Sequence, residues 1–388
     1  MSRPGRRSAA IAVLLPAVIL AAGCASAPAT SPPATPAAPP SPSLNTSLDT
    51  AAGTWAAVVM GGSAAQYNNF WQLFIRPARS NSWKLVTPPG TADNGGLVLA
   101  GSSGQALVAG FRPSQDLTYT PLIQTSNAGR AWSSLNPLDA ALASAPDALA
   151  VKPGSGEMLA LLNGGGAEQA TSGNATWSTL ASPATLAAAS AGQRCGLHAL
   201  TAATFTPAGV PMLAGSCTRP GVAGIFTPGN GTWQATGPGI PAALAGQDVT
   251  VSRLTRTAQG VTALLTVGTG PDASLLAAWS ADGRHWTLSS PLPLHGAGLT
   301  SASFGPGGTA AVITTANHGQ IITGPGSSWQ PLPPPPSGTA TLAPGPGGAA
   351  DALAVHGGTL TVWQHVPGDA TWTKIQVVNV PIPYGSSS

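Results

Sequence analysis

Seven tryptophans follow short turns at nearly regular intervals, and this repeat constrains the fold more than any other feature of the chain. The turns before them are rich in Gly, Asn, Asp and Ser, and the segments after them are short and commonly end in Pro. Self-similarity at a period of about 40 to 50 residues is typical of a propeller or an array. The seven are Trp83, Trp132, Trp177, Trp233, Trp286, Trp329 and Trp372, at spacings of 49, 45, 56, 53, 43 and 43 residues.

The segments between the tryptophans read as strands. Apolar runs are short and are interrupted every 8 to 12 residues by Gly, Pro, Asn or Asp. This pattern is typical of an all-β fold. Each unit has room for four strands, with its Trp on the hairpin between the third and the fourth. We therefore predict an all-β fold, a seven-bladed β-propeller of four-stranded antiparallel blades, over residues 48–384. A short helix is expected just after Pro183.

The first unit looks one strand short before Trp83. We expect a segment near residues 377–382 to fill the gap, because such an exchange joins the two ends of the ring and removes free sheet edges.

Two of the turns carry a longer motif. They consist of Thr125, Asn127, Gly129 and Trp132, and of Ser280, Asp282, Gly283 and Trp286. Both resemble the Asp-box, or BNR, repeat of sialidase-like propellers: Ser/Thr, any, Asp, any, Gly, two of any, then an aromatic. The first copy has Asn in the Asp place, and the second is one residue shorter. In that family the box lies on an outer hairpin, so the resemblance implies a structural role for these residues.

A kelch propeller is the competing resemblance. Gly61-Gly62, Tyr67 and Trp83 stand in the kelch order, and Gly357-Gly358 repeats it weakly. Both resemblances imply a propeller, so the predicted fold is the same for either family. The choice between the two families stays open.

The N-terminus indicates export. Three arginines precede an apolar stretch over residues 9–22, which is too short to span a membrane comfortably. The stretch ends in "ILAAGC", which resembles a bacterial lipobox with Ala21 where that family prefers Leu. The resemblance implies a signal peptide over residues 1–23 and a lipid on Cys24. Ordinary secretion with a chance cysteine is the alternative.

The segment after Cys24 has a different composition from the rest. Residues 24–47 are mostly Ala, Pro, Ser and Thr, which cannot bury a core and favours an extended, disordered tether. At about 3 Å per residue it reaches roughly 60 Å from a membrane. Removing the signal peptide leaves twelve basic and twelve acidic residues, hence no net charge. No basic run remains, which excludes nucleic acid as a partner.

Two further cysteines, Cys195 and Cys217, flank two strand-like segments around a turn at Pro207-Ala208-Gly209. In an oxidising compartment a lone pair of this kind is expected to form a disulfide, here one that ties a hairpin. Two buried free thiols are the alternative.

Candidate chemistry is sparse. The sialidase resemblance implies an arginine cluster, a Tyr–Glu pair and an acidic Asp, but the only Glu residues are Glu157 and Glu168, and Arg76 in "FIRP" leads directly into a hairpin. Other glycosidases need two carboxylates. The candidates are Asp116, Asp248 and Asp272, each beside turn residues.

We therefore predict no catalytic residues, no metal site and no cofactor. His198 and Arg253 fall on predicted inner strands and are our candidates for lining the central channel. The prediction is a monomeric lipoprotein held by lipid on the extracytoplasmic face of the cell membrane. Its non-catalytic propeller binds or scaffolds a protein or a glycan. A secreted glycoside hydrolase on the same fold is the main alternative, and a solute or sugar sensor is another.

Overall fold

The structure is a computed structural model, and it describes residues 46–61, 69–88, 97–101, 106–111, 122–135, 146–162, 165–170 and 177–381. The described strands form seven consecutive four-stranded meanders, here called blades 1 to 7. Five blades are separate sheets, while the fourth and fifth are joined by a short strand pairing into one nine-stranded sheet that includes an extra two-residue strand. This confirms the all-β propeller. Strands antiparallel to their sequence neighbours form every blade, as expected where short turns connect them.

The blades are bounded as follows. Blade 1 contains β1 (Thr46–Thr50), β2 (Gly53–Gly61), β3 (Asn69–Pro77) and β4 (Lys84–Leu85); blade 2 contains β5 (Leu97–Gly101), β6 (Leu107–Phe111), β7 (Leu122–Thr125) and β8 (Ser133–Ser134); blade 3 contains β9 (Ala148–Val151), β10 (Met158–Leu162), β11 (Gly166–Ala170) and β12 (Trp177–Ala181). Blade 4 contains β13 (Leu197–Phe205), β14 (Pro211–Cys217), β15 (Gly224–Gly229) and β16 (Thr232–Ala235); blade 5 contains β17 (Val249–Thr257), β18 (Gly260–Val267), β19 (Ser274–Ser280) and β20 (Thr287–Leu288). A two-residue strand, β21 (Leu292–Pro293), follows; blade 6 contains β22 (Leu299–Phe304), β23 (Ala310–Thr314), β24 (Gly319–Ile322) and β25 (Gln330–Pro331); blade 7 contains β26 (Thr339–Pro344), β27 (Ala350–His356), β28 (Thr359–His365) and β29 (Thr373–Asn379).

Helix is confined to short pieces. Helices α1 (Pro183–Ala188) and α2 (Ser190–Cys195) connect blades 3 and 4, where one short helix was expected after Pro183. Ser182 caps α1: its hydroxyl accepts from the Thr185 N–H, while the Thr185 hydroxyl accepts from the Ser182 N–H. This reciprocal capping box satisfies two helix-end donors. Single 3₁₀ turns lie at Ala242–Leu244, Gly270–Asp272, Pro306–Gly308 and Pro346–Gly348.

The core lies between blades rather than within one layer. The described residues form seven apolar clusters, and each combines residues of two blades that are neighbours in sequence or, in one case, of blades 1 and 7. Strands buried on both faces lose the alternation of apolar and polar residues. In β19, for example, all seven residues are buried. The frequent Ala at these positions lets neighbouring blades approach closely.

The expected strand exchange between the chain ends is wrong. Blade 1 has four strands of its own, and β29, which contains Val377, pairs with β28 of its own blade. The first blade looked short because its inner strand begins at Thr46, ahead of the predicted boundary at residue 48. Thr46 and Ser47 read as tether by composition, but their hydroxyls donate to the carbonyls of Ala302 and Leu342 in blades 6 and 7.

Side chains close the ring instead. Arg76 of β3 forms a salt bridge with Asp351 of β27, Nη1 to Oδ2 2.5 Å, and the Asp351 side chain is 1% exposed. The Trp83 indole N–H donates to the same Oδ2 at 2.9 Å, and the Arg76 guanidinium lies 5.5 Å from the Trp83 ring. The Gln376 amide pairs with both backbone groups of Trp83. Blades 1 and 7 are therefore joined by a buried ion pair under an aromatic ring.

The repeated Trp has an analogous role elsewhere in the ring. Each of the seven lies at the start of the fourth strand of its blade or directly before it. In three blades the indole N–H donates to a carbonyl of the preceding blade, just beyond its fourth strand. The acceptors are Val86 for Trp132 (3.0 Å), Thr236 for Trp286 (2.6 Å) and Pro333 for Trp372 (3.0 Å). Trp329 differs, since its buried Nε1 has no acceptor among the described residues.

Candidate functional site

A cavity of about 620 Å³ lies at the centre of the ring. The inner strands β1, β5, β9, β13 and β17 contribute to its wall, together with residues 304–307 of blade 6. Turns between first and second strands ring one end of the cavity, including Ala51, Pro153 and Gln259. The first residues of the inner strands, such as Thr46, lie towards the other end. Pockets of about 300 to 1,000 Å³ are typical of small-molecule sites.

Two arginines of β17 line this cavity. Arg253 donates from Nη2 to the Thr46 hydroxyl at 3.1 Å, so it reaches from blade 5 to blade 1. Its Nη1 is buried and has no hydrogen-bond partner among the described residues. Burial lowers the pKa of Arg253 to about 10, which still leaves it protonated at neutral pH. Arg256 lies nearer the β17–β18 turn, and its buried Nε likewise finds no acceptor in the described part of the chain.

Asp49 is the one carboxylate among the described residues that line the cavity. It accepts from the Thr54 hydroxyl at 3.0 Å, and Arg76 donates to that same hydroxyl. Burial raises the pKa of Asp49, while the Thr54 hydrogen bond and the positive charge of Arg76 oppose the shift. Asp49 is therefore engaged on the blade 1 side and forms no ion pair with Arg253 or Arg256.

The remaining wall is small and apolar, interspersed with hydroxyls. Val98, Leu99 and Leu149 are typical of the apolar part, and Thr201 and Thr204 of the polar part. Besides Asp49, the described wall thus combines an apolar and hydroxyl-bearing surface with two arginines that have no ionic partner among the described residues. Such a surface is equipped to hold an anion with an apolar body.

The Asp-box residues lie away from this cavity, on the hairpins between third and fourth strands. In the first box the Thr125 hydroxyl accepts from the Gly129 N–H at 3.0 Å, and Asn127 Oδ1 accepts from the Ala131 N–H at 2.9 Å. In the second, Ser280 Oγ accepts from the Gly283 N–H at 2.8 Å. Each box therefore satisfies the donors of its own turn.

The two box glycines also face the preceding blade. Gly129 has φ +78° and Gly283 has φ +79°, a conformation that other residues rarely adopt. A Cβ on Gly129 would lie 2.6 Å from Val86 of blade 1, and one on Gly283 would lie 2.8 Å from Met212 of blade 4. Together with the Trp hydrogen bonds, this contact makes the box a joint between blades.

Asp282 gives the second box a dependence on pH. Its Oδ1 accepts from the backbone N–H groups of His285 and Arg284 at 2.9 and 2.8 Å. These bonds, that of His285 foremost, hold the pKa of Asp282 well below the ordinary range of an aspartate. Because the folded-state pKa is depressed, the contribution to stability is present above about pH 4 and is lost as the pH falls further.

We expect Asp282→Ala to lower the free energy of unfolding between pH 7 and about pH 5, and by less below about pH 4. Urea unfolding of both proteins across this pH range measures the difference. Asp272→Ala, which removes another exposed aspartate, is the matched control and should show no such convergence. A wild-type advantage that persists unchanged to about pH 2 would contradict this role of Asp282.

Other predicted residues fall outside the cavity. His198 is exposed on β13 and does not line the cavity, in contrast to Arg253. Glu157 pairs with Lys152 at 2.8 Å on a turn of blade 3, and Glu168 accepts from the Thr179 hydroxyl. Cys24, the rest of the predicted tether up to residue 45 and Asp116 lie outside the described residues. In the part that the structure covers, no group of three or more His, Cys, Asp and Glu is placed to hold a metal ion.

Asp248 and Asp272 lie together in a second, separate pocket of about 300 Å³, with Gln247 and Thr269. Both carboxylates are exposed. The loops that bear them precede β17 and connect β18 to β19. They therefore lie at the end of blade 5 opposite to the β17–β18 turn.

The disulfide between Cys195 and Cys217 is confirmed, with Cα atoms 5.0 Å apart. It links the end of α2 to the end of β14, across the β13–β14 hairpin whose turn contains Gly209. No helix within the described ranges is long and apolar enough to cross a membrane.

No protein-family model matches the chain, and no curated protein matches it significantly. Among solved structures, a protein from Lactobacillus plantarum is 11% identical, with a TM-score of 0.52 over 84% of this chain and 96% of that one. A GH74 xyloglucanase from Xanthomonas campestris is 16% identical, with a TM-score of 0.50 over 87% of this chain and 55% of that one. YCF48 from Cyanidioschyzon merolae is 12% identical, with a TM-score of 0.48 over 81% and 96%. At such identities the likeness is one of fold, the β-propeller.

Proposed function

We propose that this protein is a lipid-anchored binding module on the extracytoplasmic face of the cell membrane, with the central cavity as its binding site. The observation that carries the proposal is the composition of the cavity wall. Among the described residues, the two arginines of this wall have no ionic partner, and its single carboxylate is already engaged. Glycoside hydrolysis generally needs two carboxylates about 5 to 10 Å apart, so this wall is better suited to holding a ligand than to cleaving one.

The lipid anchor rests on the sequence. "ILAAGC" ends an apolar stretch that follows three arginines, and residues 24–45 supply a spacer before β1. A single acyl chain gives only marginal membrane binding, so stable retention takes more than one chain. The attachment at Cys24 therefore has to carry several chains to hold the propeller at the surface.

We expect Cys24→Ala to move the protein from the membrane fraction to the medium or the soluble extracytoplasmic fraction. Fractionation of cells expressing the full chain, with immunoblotting, measures the distribution. Arg219→Gln serves as the control, since it changes an exposed residue of the propeller without touching the lipobox. Retention of the Cys24→Ala protein in the membrane fraction would overturn the lipid anchor.

The binding role has its own test. Wild-type protein is incubated with a panel of plant, bacterial and host glycans, and both retention on an array and release of reducing ends are measured. Binding without release of reducing ends, or binding of non-glycan ligands alone, agrees with the proposal. Release of reducing ends from a bound glycan would establish the glycosidase alternative instead.

One observation favours that alternative, namely the shared pocket of Asp248 and Asp272. A hydrolase at this position requires both carboxylates, so Asp248→Asn and Asp272→Asn would each abolish release of reducing ends. Activity that survives both substitutions would place the chemistry elsewhere.

A further inference from the structure

The cavity contains more positive charge than its surroundings compensate. Arg253 and Arg256 stand three positions apart on β17, and neither forms an ion pair among the described residues. Asp49, the carboxylate of the same wall, is satisfied by Thr54 and lies in the field of Arg76. A cation taken out of water without an anion is costly, and a ligand that brings the anion recovers that cost.

The two arginines offer different contacts. Arg253 is anchored deep in the cavity, with Nη2 on the Thr46 hydroxyl and Nη1 buried without an acceptor among the described residues. Arg256 lies closer to the turn that rings the cavity, and only its Nε is among the buried unpaired atoms. The terminal nitrogens of Arg256 make no hydrogen bond to the described part of the chain, so they are available to a ligand, while Arg253 contributes a second positive charge to the wall of the same cavity.

The wall around these cations selects against a small inorganic ion. Val98, Ala148 and Leu149 present apolar surface, and the volume of about 620 Å³ is far larger than sulfate or phosphate requires. The planar guanidinium matches a carboxylate in a bidentate arrangement. An acid with an apolar body would also bury that body against the apolar wall, which a small inorganic anion cannot do.

We propose that the central cavity binds an organic acid, with its carboxylate on Arg256 in the field of Arg253 and its apolar body against the inner strands. This inference rests on the proposed binding function and specifies its ligand class. The carboxylate can belong to a free acid or to the C-terminus of a peptide, because both present the same group.

The test uses the full chain purified in detergent. Hexanoate, hexanamide, sulfate and a peptide ending in a free or an amidated leucine are titrated by calorimetry and by thermal unfolding. We expect hexanoate or the free-acid peptide to bind and to raise the melting temperature, while hexanamide, the amidated peptide and sulfate do not. The stronger of the two acids identifies the source of the carboxylate.

Variants locate the site. Arg256→Gln should weaken binding of the acid by about tenfold or more, because a charge-assisted hydrogen bond is lost. Arg253→Gln should weaken it by a smaller factor, since it removes charge but no direct contact. Arg253→Gln also removes a buried charge that has no ionic partner among the described residues, so the fold should tolerate it. Arg219→Gln, which removes an exposed arginine outside the cavity, should leave binding unchanged.

Several results would overturn the inference. They are equal binding of hexanoate and hexanamide, an unchanged affinity in Arg256→Gln, and the failure of both acids to bind. A protein that binds a neutral glycan in its cavity but no acid would retain the proposed binding function while refuting the organic-acid site. Release of reducing ends would instead refute the binding function.

Discussion

Asp351→Ala is expected to lower the free energy of unfolding by about 3 to 5 kcal/mol, because it breaks a buried ion pair by removing one partner. The substitution leaves the Arg76 guanidinium, whose side chain is 17% exposed, without its anion. It also deprives the Trp83 indole of its acceptor at the junction of blades 1 and 7. Because no exchanged strand holds that junction, the described residues have no backbone pairing there beyond an isolated bridge between Gly61 and Gly357.

Urea unfolding followed by Trp fluorescence measures the loss. Asp369→Ala, in an exposed turn of the same blade, is the matched control and should change stability by less than about 0.5 kcal/mol. Arg76→Met combined with Asp351→Leu should recover much of the loss, since replacing both partners by apolar residues removes the uncompensated charge. If the single and double variants unfold alike, the ion pair does not hold the ring closed.

The sequence predicts the repeat well because each turn-Trp unit is local. Its Asx or Ser oxygen, its Gly and its Trp lie within about eight residues, so their spacing is visible without the fold. The partners across the ring are not visible in this way. Arg76 and Asp351 are separated by 275 residues. The sequence shows that "FIRP" leads into a hairpin, but it does not show that Arg76 pairs with Asp351.

The cavity was only partly predictable for a related reason. The inner strands border the cavity, and Arg253 lies there. His198 does not, because a β-bulge between Leu197 and Ala199 leaves it outside the pairing with β14 and turns it to solvent. The sequence does not single out Arg256, because it lies beside the β17–β18 turn. Only the closed ring brings the turns between first and second strands together around one opening of the cavity.

The Cys195–Cys217 disulfide leads to a second large effect. Replacing both cysteines by Ala should cost about 3 kcal/mol, the chain-entropy value for a loop of 22 residues. Both sulfurs are buried at the junction of α2 and β14, so some packing is lost in addition. Urea unfolding of the wild type with and without a reductant measures the loss that comes from the bridge alone. The double variant should lose somewhat more, because it also lacks the packing of both sulfurs.

A neighbouring glycine makes this prediction specific. A Cβ on Gly224 would lie 2.7 Å from the Cys217 sulfur and 3.1 Å from the Cys195 sulfur, so the disulfide occupies the space that a side chain there would need. Gly224→Ala should therefore destabilise the disulfide-bonded protein markedly, and should cost much less in the Cys195→Ala/Cys217→Ala background, where both sulfurs are gone. Gly246→Ala, with open space around its Cβ, is the control and should cost the same in both backgrounds. The same Cβ would lie 3.2 Å from the Gly215 carbonyl oxygen, so a smaller cost should remain in the double-alanine background. Equal costs for Gly224→Ala in the two backgrounds would show that the disulfide is not what excludes a side chain at this position of β15.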